Sequence, residues 1–216
     1  MTLPVEIFAA VPVAVVIGCG MIFYFRSEYR RSCRMHRGAD RLGFGFKVHP
    51  GANEAPSRCP LLQVGGKAPM HNVIRGTYRG VHVMLFDYDV KLNHEEHLTV
   101  VAFHVRRGLL PSFAIWPRRN RNRKVFEAAI GAREMRMAHA PANFAKMFAV
   151  HSPNHRGGVC ISRQATEGMA ERATTWVVEG GGEWLLVYRL GPRPSANHLK
   201  DQLWQAFQVY RPFAGM

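Results

Sequence analysis

Hydrophobic and polar positions follow three different rules along this chain. Residues 7–25, IFAAVPVAVVIGCGMIFYF, carry no charge and no strongly polar side chain. At helical rise they span about 28 Å, close to the hydrocarbon thickness of a bilayer, so a retained transmembrane helix is expected. A cleaved signal peptide needs a basic segment ahead of the apolar stretch and a small-residue site behind it. Here only Glu6 precedes the stretch, and no such site follows. Between residues 61 and 117 the rule becomes partial alternation, as along Val81, Val83 and Leu85. NVIRGTYRG, VHVMLFDYDV, HLTVVAFHV and SFAIWP are rich in β-branched and aromatic residues, with turn signals at 91–94 and 108–111. Such short connections favour antiparallel neighbours.

The third rule is helical. It predicts helices over 124–138 and 142–150, then a hairpin whose strands 174–179 and 183–190 flank a run of glycines. The last helix is the clearest. Ser195 can cap it, and Leu199, Leu203, Phe207 and Tyr210 form an apolar face opposite Asp201, Gln202, Gln205 and Gln208. No internal repeat is visible. The expected fold class is α+β, one N-terminal transmembrane helix followed by an antiparallel sheet covered by helices. The expected organisation is an anchor at 1–25, a basic juxtamembrane segment and linker at 26–60, and a cytoplasmic domain at 61–216.

Charge sets the orientation. The 216 residues include 29 Lys and Arg against 15 Asp and Glu, a formal net charge of +14, which favours anionic neighbours. With 47% hydrophobic and 20% charged residues, wholesale disorder is excluded. Arg26, Arg30, Arg31, Arg34, Arg37 and Arg41 follow directly on the apolar stretch, offset by Glu28 and Asp40. Positive flanks stay cytoplasmic, so the N-terminus is expected outside and the domain inside, with the six arginines against anionic inner-leaflet lipids. Four cysteines without regular spacing exclude a disulfide framework and a zinc ribbon. Inside the apolar stretch, Pro12 predicts a kink, and Ala10, Ala14 and Gly18 make a smooth stripe against which another helix can pack.

Three stretches resemble a family of uncharacterised bacterial membrane proteins. They are Asn72-Val73-Ile74-x-Gly76-x-x-x-Gly80 running into Leu85-Phe86-Asp87-Tyr88, then Leu110-Pro111-x-Phe113-x-Ile115-x-Pro117, then Pro141-x-x-Phe144 continuing to Phe148, with Trp184-Leu185-Leu186-x-Tyr188 in the later hairpin. The resemblance covers about residues 70–190 in one order. It implies a single N-terminal helix, one cytoplasmic α+β domain and a bacterial inner-membrane location. The family has no established activity. The chain departs from the pattern where Arg118 and Arg119 follow Pro117 and where NHEEH follows Lys91 and Leu92.

Candidate chemistry is sparse. His94, Glu95, Glu96 and His97 put two histidines three apart, whereas a zincin helix needs them four apart. Asp87, Asp89 and Asn93 imitate the opening of a calcium loop, but Lys91, Leu92 and Leu98 stand at positions that require a ligand, a glycine and a glutamate. Gly65-Gly66-Lys67-Ala68 lacks the earlier glycine and the hydroxyl of a phosphate loop. Cys160 lies near His151 and His155 without an orienting acid. No serine elbow and no dinucleotide fingerprint occurs. Arg118, Arg119, Arg121, Arg123 and Lys124 form a basic loop that lacks the interleaved aromatics of a nucleic-acid groove.

The expected function is therefore a non-catalytic, membrane-anchored accessory or scaffolding subunit of a larger membrane complex, a photosynthetic or respiratory assembly being an example. No cofactor or metal is expected; other membrane subunits and anionic lipids are the expected partners. Two alternatives stay open: a metal-dependent enzyme using His94, Glu95 and His97, and a membrane-tethered nucleic-acid binder acting through residues 118–124.

Overall fold

The computed structural model describes residues 5–50, 56, 58–64, 70–91, 95–105, 109–120, 123–135, 137, 140–153, 161–171 and 175–214, with the side chains of 5–14, 91, 95 and 130 excepted. Helix α1 runs from Val5 to Leu42. Strand β1 (Gly45–Lys47), helix α2 (Pro60–Val64) and strands β2 (Met70–Tyr78), β3 (Val81–Lys91), β4 (Glu95–His104) and β5 (Leu110–Pro117) follow. Then come α3 (Arg123–Ile130), β6 (Arg133–Met135), α4 (Ala142–Met147), β7 (Phe148–Ser152) and α5 (Arg163–Glu171). The chain continues through β8 (Trp176–Gly182), β9 (Trp184–Arg189), a 3-10 turn at Ala196–His198 and α6 (Leu199–Tyr210).

The described strands form one sheet in the order β1-β2-β3-β4-β9-β8-β5-β7-β6, every pair antiparallel. The expected α+β class with an antiparallel sheet and covering helices is what the chain adopts. Alternation decides the two faces. Val83, Leu85, Val101, Phe103, Val178 and Val187 face α1, α4, α5 and α6, while Met84, Phe86, Tyr88, Val100, Val177 and Tyr188 face α2 and α3. Leu199, Leu203, Phe207 and Tyr210 are buried on the first face, as their spacing predicts; Gln202, expected on the polar side, is buried with them.

Three local readings give way to tertiary pairing. The helix expected over 142–150 ends at Met147, because Phe148, Ala149 and Val150 pair with Pro117, Trp116 and Ile115 in mid-sheet. The helix expected over 124–138 ends at Ile130, and 133–135 becomes an edge strand on β7. The glycines at 180 and 181 lie within β8 rather than between strands. A Cβ on Gly180 would lie 2.2 Å from the Phe113 ring, and one on Gly181 would lie 2.3 Å from the carbonyl oxygen of Arg58. They permit close approach on both faces.

Residue 25, where the anchor is expected to end, lies in mid-helix. Helix α1 crosses it unbroken, and its C-terminal half docks on the sheet through Met35 and Ala39, both fully buried. Residues 26–47 are thus part of the folded body, and β1 extends the sheet beyond β2. Among the described residues no helix is long and apolar enough to cross a membrane. Residues 7–14 of the apolar stretch lie outside the described side chains, and Ala10 and Ala14 with them. Gly18 faces open space.

Candidate functional site

The docking of α1 centres on Asp87, fully buried on β3. Arg31 donates to it from Nε and Nη2, each at 2.7 Å, a bidentate fork. Asn72 Nδ2 donates at 2.9 Å and Thr99 Oγ1 at 2.8 Å. Asn72 reaches this place because a register shift between His71 and Ile74 puts it in the left-handed region, at φ 52°. Burial alone would raise the Asp87 carboxyl; Arg31, Asn72 and Arg193 together outweigh burial and hold it below its ordinary value. A carboxylate accepting four such bonds has no free lone pair to act as a base. It is an anchor point.

A second arginine widens the network. Arg193 Nη1 reaches both oxygens of Glu28 at 3.1 Å, and its Nη2 donates to Asp89, which His97 Nδ1 also meets at 2.7 Å. Arg31 Nη1 donates to the Pro194 carbonyl at 3.0 Å. One turn of α1, strands β3 and β4 and the segment after β9 are therefore tied by charge. Arg31, expected at the lipid surface, instead points into the domain.

The other five arginines of that group, Arg26, Arg30, Arg34, Arg37 and Arg41, are exposed. Arg37 bonds locally, from Nε to the Cys33 carbonyl at 3.3 Å. Arg26, Arg30 and Arg34 line a groove of about 360 Å³ that Phe23 and Ser195 close.

The basic loop is partly neutralised. Arg118 Nη2 reaches Glu134 at 2.5 Å and its Nε donates to the Ala145 carbonyl at 2.7 Å; Arg123 pairs with Glu127 and Glu134, each at 3.3 Å. Lys124 is exposed, Arg119 stands at the turn, and Arg121 lies outside the described residues. Beneath them His151, fully buried, has Nε2 2.8 Å from Glu127 Oε1, although the two are not aligned for a hydrogen bond. Burial lowers its pKa to about 4, with Arg123 and Arg118 opposing the pull of Glu134, so the ring is neutral at pH 7.

His97 is held by Asp89, while His94 and the Glu95 side chain lie outside the description. Among the described residues no three His, Cys, Asp or Glu converge as metal ligands. Residues 65–68, His155 and Cys160 also lie outside it.

Sequence reasoning missed a second polar centre, on the opposite face. Glu179 is fully buried; Leu61 N donates to its Oε2 at 2.7 Å, and Tyr188 Oη is its other close neighbour. Burial raises its pKa to about 8, against the opposing pull of those two donors. The Cys59 thiol beside it contacts the Gly181 and Trp184 carbonyls and is pushed up by burial. An acidic residue inside an otherwise apolar strand, WVVEGGG, was the available signal.

No family model matches the chain, and no curated protein matches it. The fold is similar to that in the crystal structure of the mycobacterial trehalose monomycolate transport factor A, TtfA, with a TM-score of 0.52 and 18% identity. The match covers 86% of this chain and 93% of that one. At that identity the likeness is one of fold. Asn72 and Asp87 meet in the α1 anchor point, and Tyr188 lies on Glu179.

Proposed function

We propose that the protein is a non-catalytic, single-pass accessory subunit of a bacterial inner-membrane assembly, anchored by residues 7–25 with its domain in the cytoplasm. The observation that carries this reading is the continuity of α1. Its 38 residues reach about 57 Å without a break, so an anchored end and a docked end move as one body. Val16, Ile22, Phe23 and Phe25 are each at least two-thirds exposed, on different sides of the helix, an arrangement suited to lipid rather than water.

Asp87 is saturated by donors, which suits a residue that fastens α1 rather than one that moves a proton. The fold neighbour is described as a transport factor, which is compatible with an accessory role. The neutralised pairs at Arg118 and Arg123 leave less charge for tracking a nucleic acid.

Purification of the tagged chain from native membranes in mild detergent, after crosslinking, tests the reading. Co-purifying membrane proteins are expected. A monomer without crosslinked partners would sink it. An impermeant thiol reagent on sealed cells tests topology. Cys33 is the informative residue, because Cys59 is buried and silent in either orientation. Labelling of Cys33 only after permeabilisation is expected, and labelling in sealed cells would put the domain outside.

A further inference from the structure

Five guanidinium groups border the groove between α1 and the segment after β9, and among the described residues two of them have carboxylate partners. Arg31 and Arg193 are committed to Asp87, Asp89 and Glu28. Arg26, Arg30 and Arg34 are exposed, and among the described residues no carboxylate lies within ion-pair reach of them. They stand at i, i+4 and i+8, so they share one helix face, about 6 Å apart along the axis. Like charges at that spacing repel and weaken the helix unless a counter-charge lies between them. Cations lining one cavity, with no internal partner, recognise an external anion with several acceptor oxygens.

The wall of the groove identifies the source of that anion. Phe23 closes one side, and it belongs to the final turn of the apolar stretch. If residues 7–25 span the bilayer, the cavity opens where the phosphates of the inner leaflet lie. On the other side, Ser195 Oγ accepts from Asn197 N at 3.3 Å and keeps its hydroxyl proton for a further acceptor.

We propose that this groove seats the phosphate headgroup of one anionic phospholipid, held by Arg26, Arg30 and Arg34 with the Ser195 hydroxyl. The proposal rests on the membrane-anchored reading and deepens it: the lipid is a ligand with a defined place, fixing the depth at which the domain sits.

The test uses the full chain in nanodiscs of phosphatidylcholine, with and without phosphatidylglycerol. Lipid retained after detergent extraction is counted by native mass spectrometry. One retained phosphatidylglycerol per chain is expected. At the usual strength of an arginine beside an anionic surface, the Arg26→Gln/Arg30→Gln/Arg34→Gln variant should retain it roughly a hundredfold less well. A charge-matched control, Arg119→Gln/Lys124→Gln/Arg211→Gln, should retain it like the parent. Equal retention by the triple variant, or equal loss in the control, overturns the site. Excess inorganic phosphate that displaces the lipid would make the groove a site for a soluble anion and overturn the lipid assignment. Failure of the chain to enter nanodiscs would overturn both this proposal and the anchored reading, whereas insertion without retention overturns this proposal alone.

Discussion

Asp87 and Glu179 lie on opposite faces of one sheet, both wholly removed from water, and they settle in opposite charge states. Asp87 is ionised because α1 brings Arg31 onto it in a bidentate fork, with Asn72 and Thr99 filling the remaining acceptor sites. Glu179 has a backbone N–H and a phenol but no cation, and its pKa of about 8 keeps it protonated at neutral pH. Burial is therefore not what decides the charge of a hidden acid; the reach of a guanidinium is. The functional consequence follows from which helices cover each face. The ionised acid fastens the helix that carries the apolar stretch, whereas the neutral acid holds the short α2 inside the core.

Removing the guanidinium breaks the contrast most directly. Arg31→Met leaves Asp87 buried without its pair, which costs about 3–5 kcal/mol at pH 7. It should also reverse the pH dependence. In the parent the Asp87 pKa is lowered, so its contribution is complete above the unfolded value of 3.8 and fades as pH falls through the folded value. Without Arg31 the buried carboxyl titrates above its unfolded value, like Glu179, and stability drops as pH rises past 3.8. Chemical unfolding of the full chain in mild detergent across that range measures both effects. A loss below about 1 kcal/mol would mean that the fork adds little beyond a surface pair.

Glu179→Gln sharpens the other half of the comparison, with an effect that appears only as pH rises. The folded pKa of about 8 lies above the ordinary 4.5, so the native state holds a proton that the unfolded chain has released. Stability then falls as pH rises between those values, by at most about 1.4 kcal/mol per unit. Glutamine keeps the shape, accepts from Leu61 N and can donate to Tyr188 Oη without ionising. The variant should lose this slope and be more stable than the parent at pH 8. Parallel stability curves for variant and parent would show that Glu179 is ionised in the fold.

Much of this contrast was hidden in the sequence for a physical reason. Alternation in β2 to β5 and the apolar face of α6 were legible, because each depends on local period and side-chain type. The partners of charged residues were not. Arg31 reads as one of six equivalent arginines, and only its place on the docked face of α1, 56 residues from Asp87, separates it from Arg30 and Arg34. The same holds for β6 and β7, which read as helix and become strands because β5 offers an open edge. Of the groove, the arginine row was legible, but the contribution of Ser195 was not, since the segment after β9 returns to α1 only in the fold.

The smallest expected effect uses the same chemistry at the surface. Arg118 meets Glu134 at 2.5 Å, as close a pair as Arg31 with Asp87, but the two side chains are 36% and 39% exposed. Burial raises the Glu134 carboxyl, and Arg118, Arg123 and His151 together outweigh it and hold it below its ordinary value. Water and salt screen such a pair, so Arg118→Gln should cost no more than about 1 kcal/mol. Part of that loss belongs to the bond from Nε to the Ala145 carbonyl, which glutamine can replace only in part. The loss should shrink in high salt, whereas the Arg31→Met loss should persist, because ions do not enter the buried fork. Unfolding of both variants at low and high ionic strength gives the comparison. If Arg118→Gln proved as damaging as Arg31→Met, proximity rather than burial would set the strength of these pairs, and the distinction between the docked helix and the basic loop would collapse.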